Sequence, residues 1–188
     1  MIAQLATERP SILNGVNVTQ LMNTIDAIKA KPQLASFVFR ATNEWGDGTQ
    51  NVATVGSFHG ACMENVRPEP FRFLADEPPM LCGRDEGANP VEYLLAALSM
   101  CVTTSIAAHS AARGIRIDAI ESELEGDLDV RGFLGMSASV RKGYQAIRMR
   151  MRIKTDASPE LLLQLAGFSP VHDVISRSVP VDLTIETY

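Results

Sequence analysis

The stretch from Asn89 to Gly114, NPVEYLLAALSMCVTTSIAAHSAARG, constrains this chain more than any other. Asn89 is a helix-capping residue, Pro90 suits the first helical position, and Glu92 stands three residues after the cap, where its carboxylate can reach back to the cap amide. At the other end Arg113 favours a helix C-terminus and Gly114 takes the left-handed conformation at no steric cost. About 24 residues at 1.5 Å each predict roughly 36 Å of helix, and its composition is mostly apolar. Such a helix needs a cover. A bilayer would require roughly 20 predominantly apolar residues, but Ser99, Thr103, Thr104, Ser105, His109 and Ser110 interrupt this run. The expectation is therefore a helix buried in a protein core, with no membrane partner.

The chain has 188 residues, 46% of them hydrophobic, which is enough to bury a core of one domain or at most two. Its 17 basic and 22 acidic residues give a net charge of −5, the wrong balance for nucleic acid. Cys62, Cys82 and Cys101 form no CxxC pair and, with three histidines, match no zinc spacing, so neither a metal nor another cofactor is expected. The opening MIAQLATERPSILNG has no basic segment followed by an apolar one, which reads as no secretory leader and a cytoplasmic, reducing location with free thiols.

Around the long helix the hydrophobic period alternates between 3.6 and 2. Residues 17–32 place Val18, Leu21, Met22, Ile25 and Ile28 at helical spacing before Pro32, an N-terminal extension helix within residues 1–35. ASFVFRATNEW and QNVATVGSF, joined by GDGT, predict a hairpin. The Pro-rich, Gly-rich and charged segment 60–88 reads as an irregular crossing with a short strand at 71–74. Beyond Gly114, acids at 121, 123, 125, 127 and 129 alternate with other residues, and Arg148, Arg150, Arg152 and Lys154 alternate with Ile147, Met149, Met151 and Ile153. Two half-buried strands follow, with acids and bases pairing across their solvent faces. Ser158-Pro159 and Ser169-Pro170 each open a helix, and VDLTIET predicts a last strand. Strand groups interleaved with helices of unequal length predict an α+β fold.

The motif GANPVEYLLAALSMC, with Cys101 eleven residues after Pro90, resembles the central-helix motif of the OsmC/Ohr family, the osmotically inducible protein C and organic hydroperoxide resistance proteins. SPVHDVISRSVPV resembles the family's second motif, in which a Cys-Pro pair opens a helix. The resemblance covers roughly residues 36–188. It implies antiparallel sheets around a long buried central helix, an intertwined homodimer, and sites at the subunit interface. It further implies a thiol-dependent peroxidase acting on organic hydroperoxides, in which Cys101 attacks the peroxide and becomes a sulfenic acid. Glu92 lies one step from a carboxylate of the peroxidase branch, although a capping role accounts for it equally.

Ser169 occupies the position of the family's second cysteine, and a serine cannot form the disulfide. Turnover then needs an external thiol, or Cys82 in the loop that feeds the helix. Peroxide attack also needs a thiolate, and a free cysteine ionises only near pH 8.5, about. Family peroxidases stabilise it with a hairpin arginine, but the tip here is NEWGDG, with Trp45 and Asp47. Arg40 and Arg84 are the nearby alternatives. His109 lies eight residues after Cys101, about 80° around the helix, and reads as an interior histidine. His172, beside Ser169, forms no hydrolytic triad with Ser169 and Asp173 by spacing alone. Neither His59 nor Cys62 has a chemical context. The other reading is a non-catalytic dimer of the same fold that binds a small apolar ligand at the subunit interface.

Overall fold

The computed structural model describes residues 11–187. Residues 1–10, which carry most of the segment read for a secretory leader, lie outside them. Two compact units are present, one formed by Asn17–Leu94 and the other by Leu95 onward together with the segment that ends at Val16. A small ladder of β1 (Ile12–Leu13) and β2 (Val16–Asn17) opens the described chain.

In the Asn17–Leu94 unit, α1 runs from Val18 to Ala30, where helical apolar spacing placed it. Its cap is Asn17, whose side chain accepts from the Gln20 amide at 2.9 Å. β3 (Phe37–Val38), β4 (Thr42–Trp45), β5 (Asn51–Val55), β6 (Phe58–Gly60), β7 (Met63–Asn65) and β8 (Phe71–Ala75) follow. They form two antiparallel sheets, ordered β3-β6-β7 and β4-β5-β8. The expected hairpin is therefore split: β4 pairs with β5, whereas β3 pairs with β6. Phe37 lies opposite Gly60, and a Cβ on Gly60 would come within 2.3 Å of the Phe37 ring. The missing side chain gives that ring its place. Phe39 stacks on Phe58 at 5.3 Å, and the Arg67 guanidinium lies 5.0 Å from the Phe58 centroid.

Helix α2, Pro90–Ala112, begins and ends as its capping residues require. Asn89 Oδ1 accepts from the Val91 amide at 2.9 Å, and Glu92 accepts from the Asn89 amide at 2.8 Å. At the far end Gly114, with φ +76°, lets the Ile115 and Gly114 amides donate to the Ser110 and Ala111 carbonyls, at 2.9 and 3.0 Å. This is a Schellman cap. By length and composition α2 is the one described helix that passes for a membrane span. A stripe of it nevertheless packs inside the protein.

That stripe belongs to the second unit. Leu98, Val102 and Ile106 form a buried cluster with Leu165 of α4 (Pro159–Ala166). Ile120 and Leu124 of β9 (Ala119–Asp127) and Met149 and Met151 of β10 (Ala146–Lys154) pack against it. β9 and β10 are antiparallel, with Arg148 opposite Glu125, Arg150 opposite Glu123 and Arg152 opposite Glu121. Arg148 reaches Glu125 at 2.7 Å and Asp127 at 2.6 Å. The alternation thus sets both the burial of one face and the charge register of the other. Between the two strands a single turn, α3 (Val130–Phe133), is capped by Asp129. α5 (Pro170–Arg177) completes the helices.

The predicted last strand does not pair. Val181, Leu183 and Ile185 are 84%, 78% and 78% exposed, with no ladder partner among the described residues. A strand pattern specifies which residues share a face, but pairing requires a neighbour.

One core position is mismatched to its surroundings. Ser110 is fully buried, and its hydroxyl has no hydrogen-bond partner among the described residues. Ser110→Ala should stabilise the protein by about 1 kcal/mol, since it removes a desolvated hydroxyl and gains helix propensity. The check is a higher urea midpoint with an unchanged m-value; a lower midpoint would show that the hydroxyl is satisfied.

Candidate functional site

Cys101 lies in the middle of α2, one position before the buried Val102, and is itself half-buried. Helical geometry puts Glu92 about 13 Å back along the axis and about half a turn around. The two share a helix but not a face. The Glu92 carboxylate is engaged with the Asn89 amide, so its observed work is capping.

Ser169 is fully buried and caps α5, where its hydroxyl accepts from the His172 amide at 3.2 Å. Helix capping needs an oxygen acceptor, and serine supplies it at a position where the resemblance implies a sulfur. Cys82 and Cys62 are both exposed and both adopt positive φ, 68° and 63°. They belong to the Asn17–Leu94 unit, Cys62 in the β6–β7 turn and Cys82 after a short 3-10 turn.

The two candidate arginines are already paired within that same unit. Arg40 makes a two-pronged contact with Glu64 at 3.0 and 3.2 Å, which also lowers the Glu64 pKa. Arg84 bonds Asp47 at the hairpin tip. The Trp45 indole donates to the Gly48 carbonyl at 3.0 Å. The tip is therefore braced from two sides.

Behind Arg84 lies a residue that sequence reasoning missed. Asp76, 1% exposed, accepts from Thr49 Oγ1 at 2.7 Å, Gln50 Nε2 at 3.1 Å, and the Glu77, Arg84 and Glu86 amides at 2.8, 3.0 and 3.4 Å. The Thr49 bond is the main reason its pKa lies well below the ordinary carboxylate value, with the backbone amides adding to it against the cost of burial. A carboxylate just past the β8 strand, before a Pro-Pro pair and two glycines, was the available signal.

His109 stacks on Phe168 at 4.3 Å and approaches Arg113 at 3.3 Å. Burial first, then the Arg113 charge, lowers its pKa below the ordinary histidine value, which favours the uncharged ring. His59 contacts Glu64 at 3.3 Å.

Beside β10 runs a cleft of about 680 Å³. Val102 and Ile106 of α2, Met149, Met151 and Ile153 of β10, and Leu162 of α4 supply its apolar walls. Thr155 and His172 contribute polar groups. Cys101 is not among its lining residues, although the adjacent Val102 is. The cleft walls are mostly apolar, and the residue next to Cys101 is one of them.

A family model described as OsmC-like protein matches residues 83–184. None of the curated proteins compared matches this chain. Among solved structures, an OsmC-like protein from Mycoplasma pneumoniae is similar with a TM-score of 0.57 at 15% identity, over 74% of this chain and 88% of that one. An OsmC-like protein of unknown function from Vibrio cholerae is similar with a TM-score of 0.51 at 12% identity, over 76% of this chain and 93% of that one. These likenesses establish the α+β fold with antiparallel sheets.

Proposed function

This chain belongs to the OsmC-like protein family, and from that premise we propose that it is a thiol-dependent peroxidase that reduces organic hydroperoxides through Cys101 as a homodimer. The observation that carries the reading is the placement of Cys101, a half-buried thiol on α2 directly beside a residue that lines an apolar cleft. The Cys101 thiolate attacks the outer peroxide oxygen, the O–O bond breaks, and the alcohol leaves with a proton while the sulfur becomes a sulfenic acid. With serine at 169, an external thiol condenses with the sulfenic acid and releases water; a second thiol then releases Cys101 as thiol and departs as a disulfide. Free cysteines throughout the described chain suit a reducing, cytoplasmic setting.

The test is the rate of Cys101 oxidation by an alkyl hydroperoxide, followed by intact mass with a sulfenic-acid trap. A rate at least about 100-fold above free cysteine is expected, an increment of about 2.7 kcal/mol in barrier, lost in Cys101→Ser and unchanged in Cys82→Ser. The apolar cleft further predicts slower reaction with hydrogen peroxide. A rate equal to free cysteine would overturn the proposal. It would favour the second reading, a non-catalytic dimer that binds a small apolar ligand, which draws support from the absence of Cys101 from the cleft lining.

A further inference from the structure

We propose that the connection between β9 and β10 is a docking tip for the anionic surface of a lipid bilayer. It covers residues 128–145 and includes the single turn α3. Residues 130–145 read VRGFLGMSASVRKGYQ, with Arg131, Arg141 and Lys142 and no acid, in a chain whose net charge is −5. Phe133, Leu134 and Met136 are 60%, 53% and 69% exposed, and Val130 beside them is exposed as well. Large apolar side chains grouped at one exposed turn, with bases next to them, make up an interfacial anchor.

The tip is built rather than loose. Asp129 caps α3, and Gly135, at φ +68°, lets the Met136 amide donate to the Arg131 carbonyl at 2.9 Å, a Schellman cap on a single turn. Gly132 is buried, and a Cβ there would stand 2.4 Å from the Arg141 carbonyl oxygen and 3.0 Å from the Lys142 Cα. The returning chain is thus held against the turn that carries Phe133 and Leu134. At the base of the tip, the Tyr144 ring fills the space that a Cβ on Gly126 of β9 would need, at 2.5 Å.

Charge and size together choose the occupant. Arg131 is neutralised by Asp129, with 3.0 Å contacts to both carboxylate oxygens. Arg141 and Lys142 are exposed and form no ion pair with another described residue. An acidic lipid surface supplies anions to such bases wherever the turn lands. An acidic protein would supply them too, but a stable protein interface takes about 800 Å² and roughly 20–30 residues from each partner. This tip offers one turn and its immediate neighbours. A turn of four residues is about 6 Å long, within the roughly 5–10 Å to which interfacial anchors sink. The expectation of no membrane partner came from α2; here no span is involved, and the contact is with the surface only. The inference does not depend on catalysis by Cys101.

The experiment is co-sedimentation of the full-length protein with vesicles of phosphatidylcholine alone or of equal parts phosphatidylcholine and phosphatidylglycerol. At low salt, partitioning to the anionic vesicles should exceed that to the neutral ones by at least about 10-fold, the contribution of two surface bases. It should fall as added salt screens those charges. The double variants Phe133→Ser with Leu134→Ser, and Arg141→Gln with Lys142→Gln, should each lower it about 10-fold. Their urea midpoints should stay at the wild-type value, because all four side chains are exposed. Met80→Ser is the control: it removes a 90% exposed apolar side chain from the other unit and should bind as wild type does. No partitioning, equal partitioning to both vesicle types, or an equal loss in Met80→Ser would overturn the proposal. Self-association without vesicles that the Phe133 and Leu134 variant abolishes would assign the tip to a second copy and overturn it as well.

Discussion

Asp76→Asn is expected to lower the midpoint of thermal unfolding by on the order of 10 °C, from the loss of a multiply bonded buried acceptor. The two carboxylate oxygens collect five donors: the Thr49 hydroxyl, the Gln50 amide, and the Glu77, Arg84 and Glu86 backbone amides. An asparagine turns one of those oxygens into a donor that faces donors. If the NH2 replaces the oxygen that holds Gln50, the Arg84 and Glu86 backbone amides are orphaned with it, and if it replaces the other, the Glu77 amide is, so either way the 76–86 loop loses backbone bonds next to the Arg84–Asp47 contact. The effect also has a pH signature. Folding depresses the Asp76 pKa below its ordinary value of 3.8, so its contribution is complete above that value and is lost progressively as the pH falls from there toward the native value. Wild type should therefore lose stability on acidification more steeply than Asp76→Asn, whose side chain at 76 does not titrate. Parallel acid limbs for the two proteins would show that Asp76 is not the anion inferred here.

Gly83→Ala should be nearly as damaging, at about 3 kcal/mol by the scale of overpacking. A Cβ built on Gly83 would stand 1.7 Å from the Glu77 carbonyl oxygen and 2.3 Å from its carbon. Both are backbone atoms, which cannot rotate away as a side chain would. The only relief is displacement of the loop that wraps Asp76. Gly56→Ala is the control, because its nearest neighbour would be the Pro70 Cβ at an ordinary 4.0 Å, and it should change stability by no more than about 0.5 kcal/mol. Chemical denaturation of the two variants separates the cases; equal midpoints would mean that the loop yields without cost.

These two positions also mark where sequence reasoning stopped. Gly83 and Asp76 lie in a Pro-rich and Gly-rich segment that read as an irregular crossing. It is irregular in secondary structure yet tightly specified by side-chain and backbone bonds. Ser169 was read both as a helix cap and as the position of an absent cysteine, and the first role is observed. Glu92 likewise was read as a cap or as a site acid, and its carboxylate is found on the Asn89 amide.

What the sequence determined by itself was local. The ends of α2 follow from Asn89, Pro90, Glu92 and Gly114, the caps of α4 and α5 from Ser158 and Ser169, and the faces of β9 and β10 from strict alternation. Each depends on residues a few positions apart, where backbone sterics and hydrogen bonding select one conformation. Tertiary structure alone decided that β3 pairs with β6, that Val102 rather than Cys101 lines the cleft, and that Val181, Leu183 and Ile185 are exposed with no ladder partner among the described residues. Those outcomes depend on which distant surfaces meet. A periodic pattern names the face to be covered, and only packing supplies the cover.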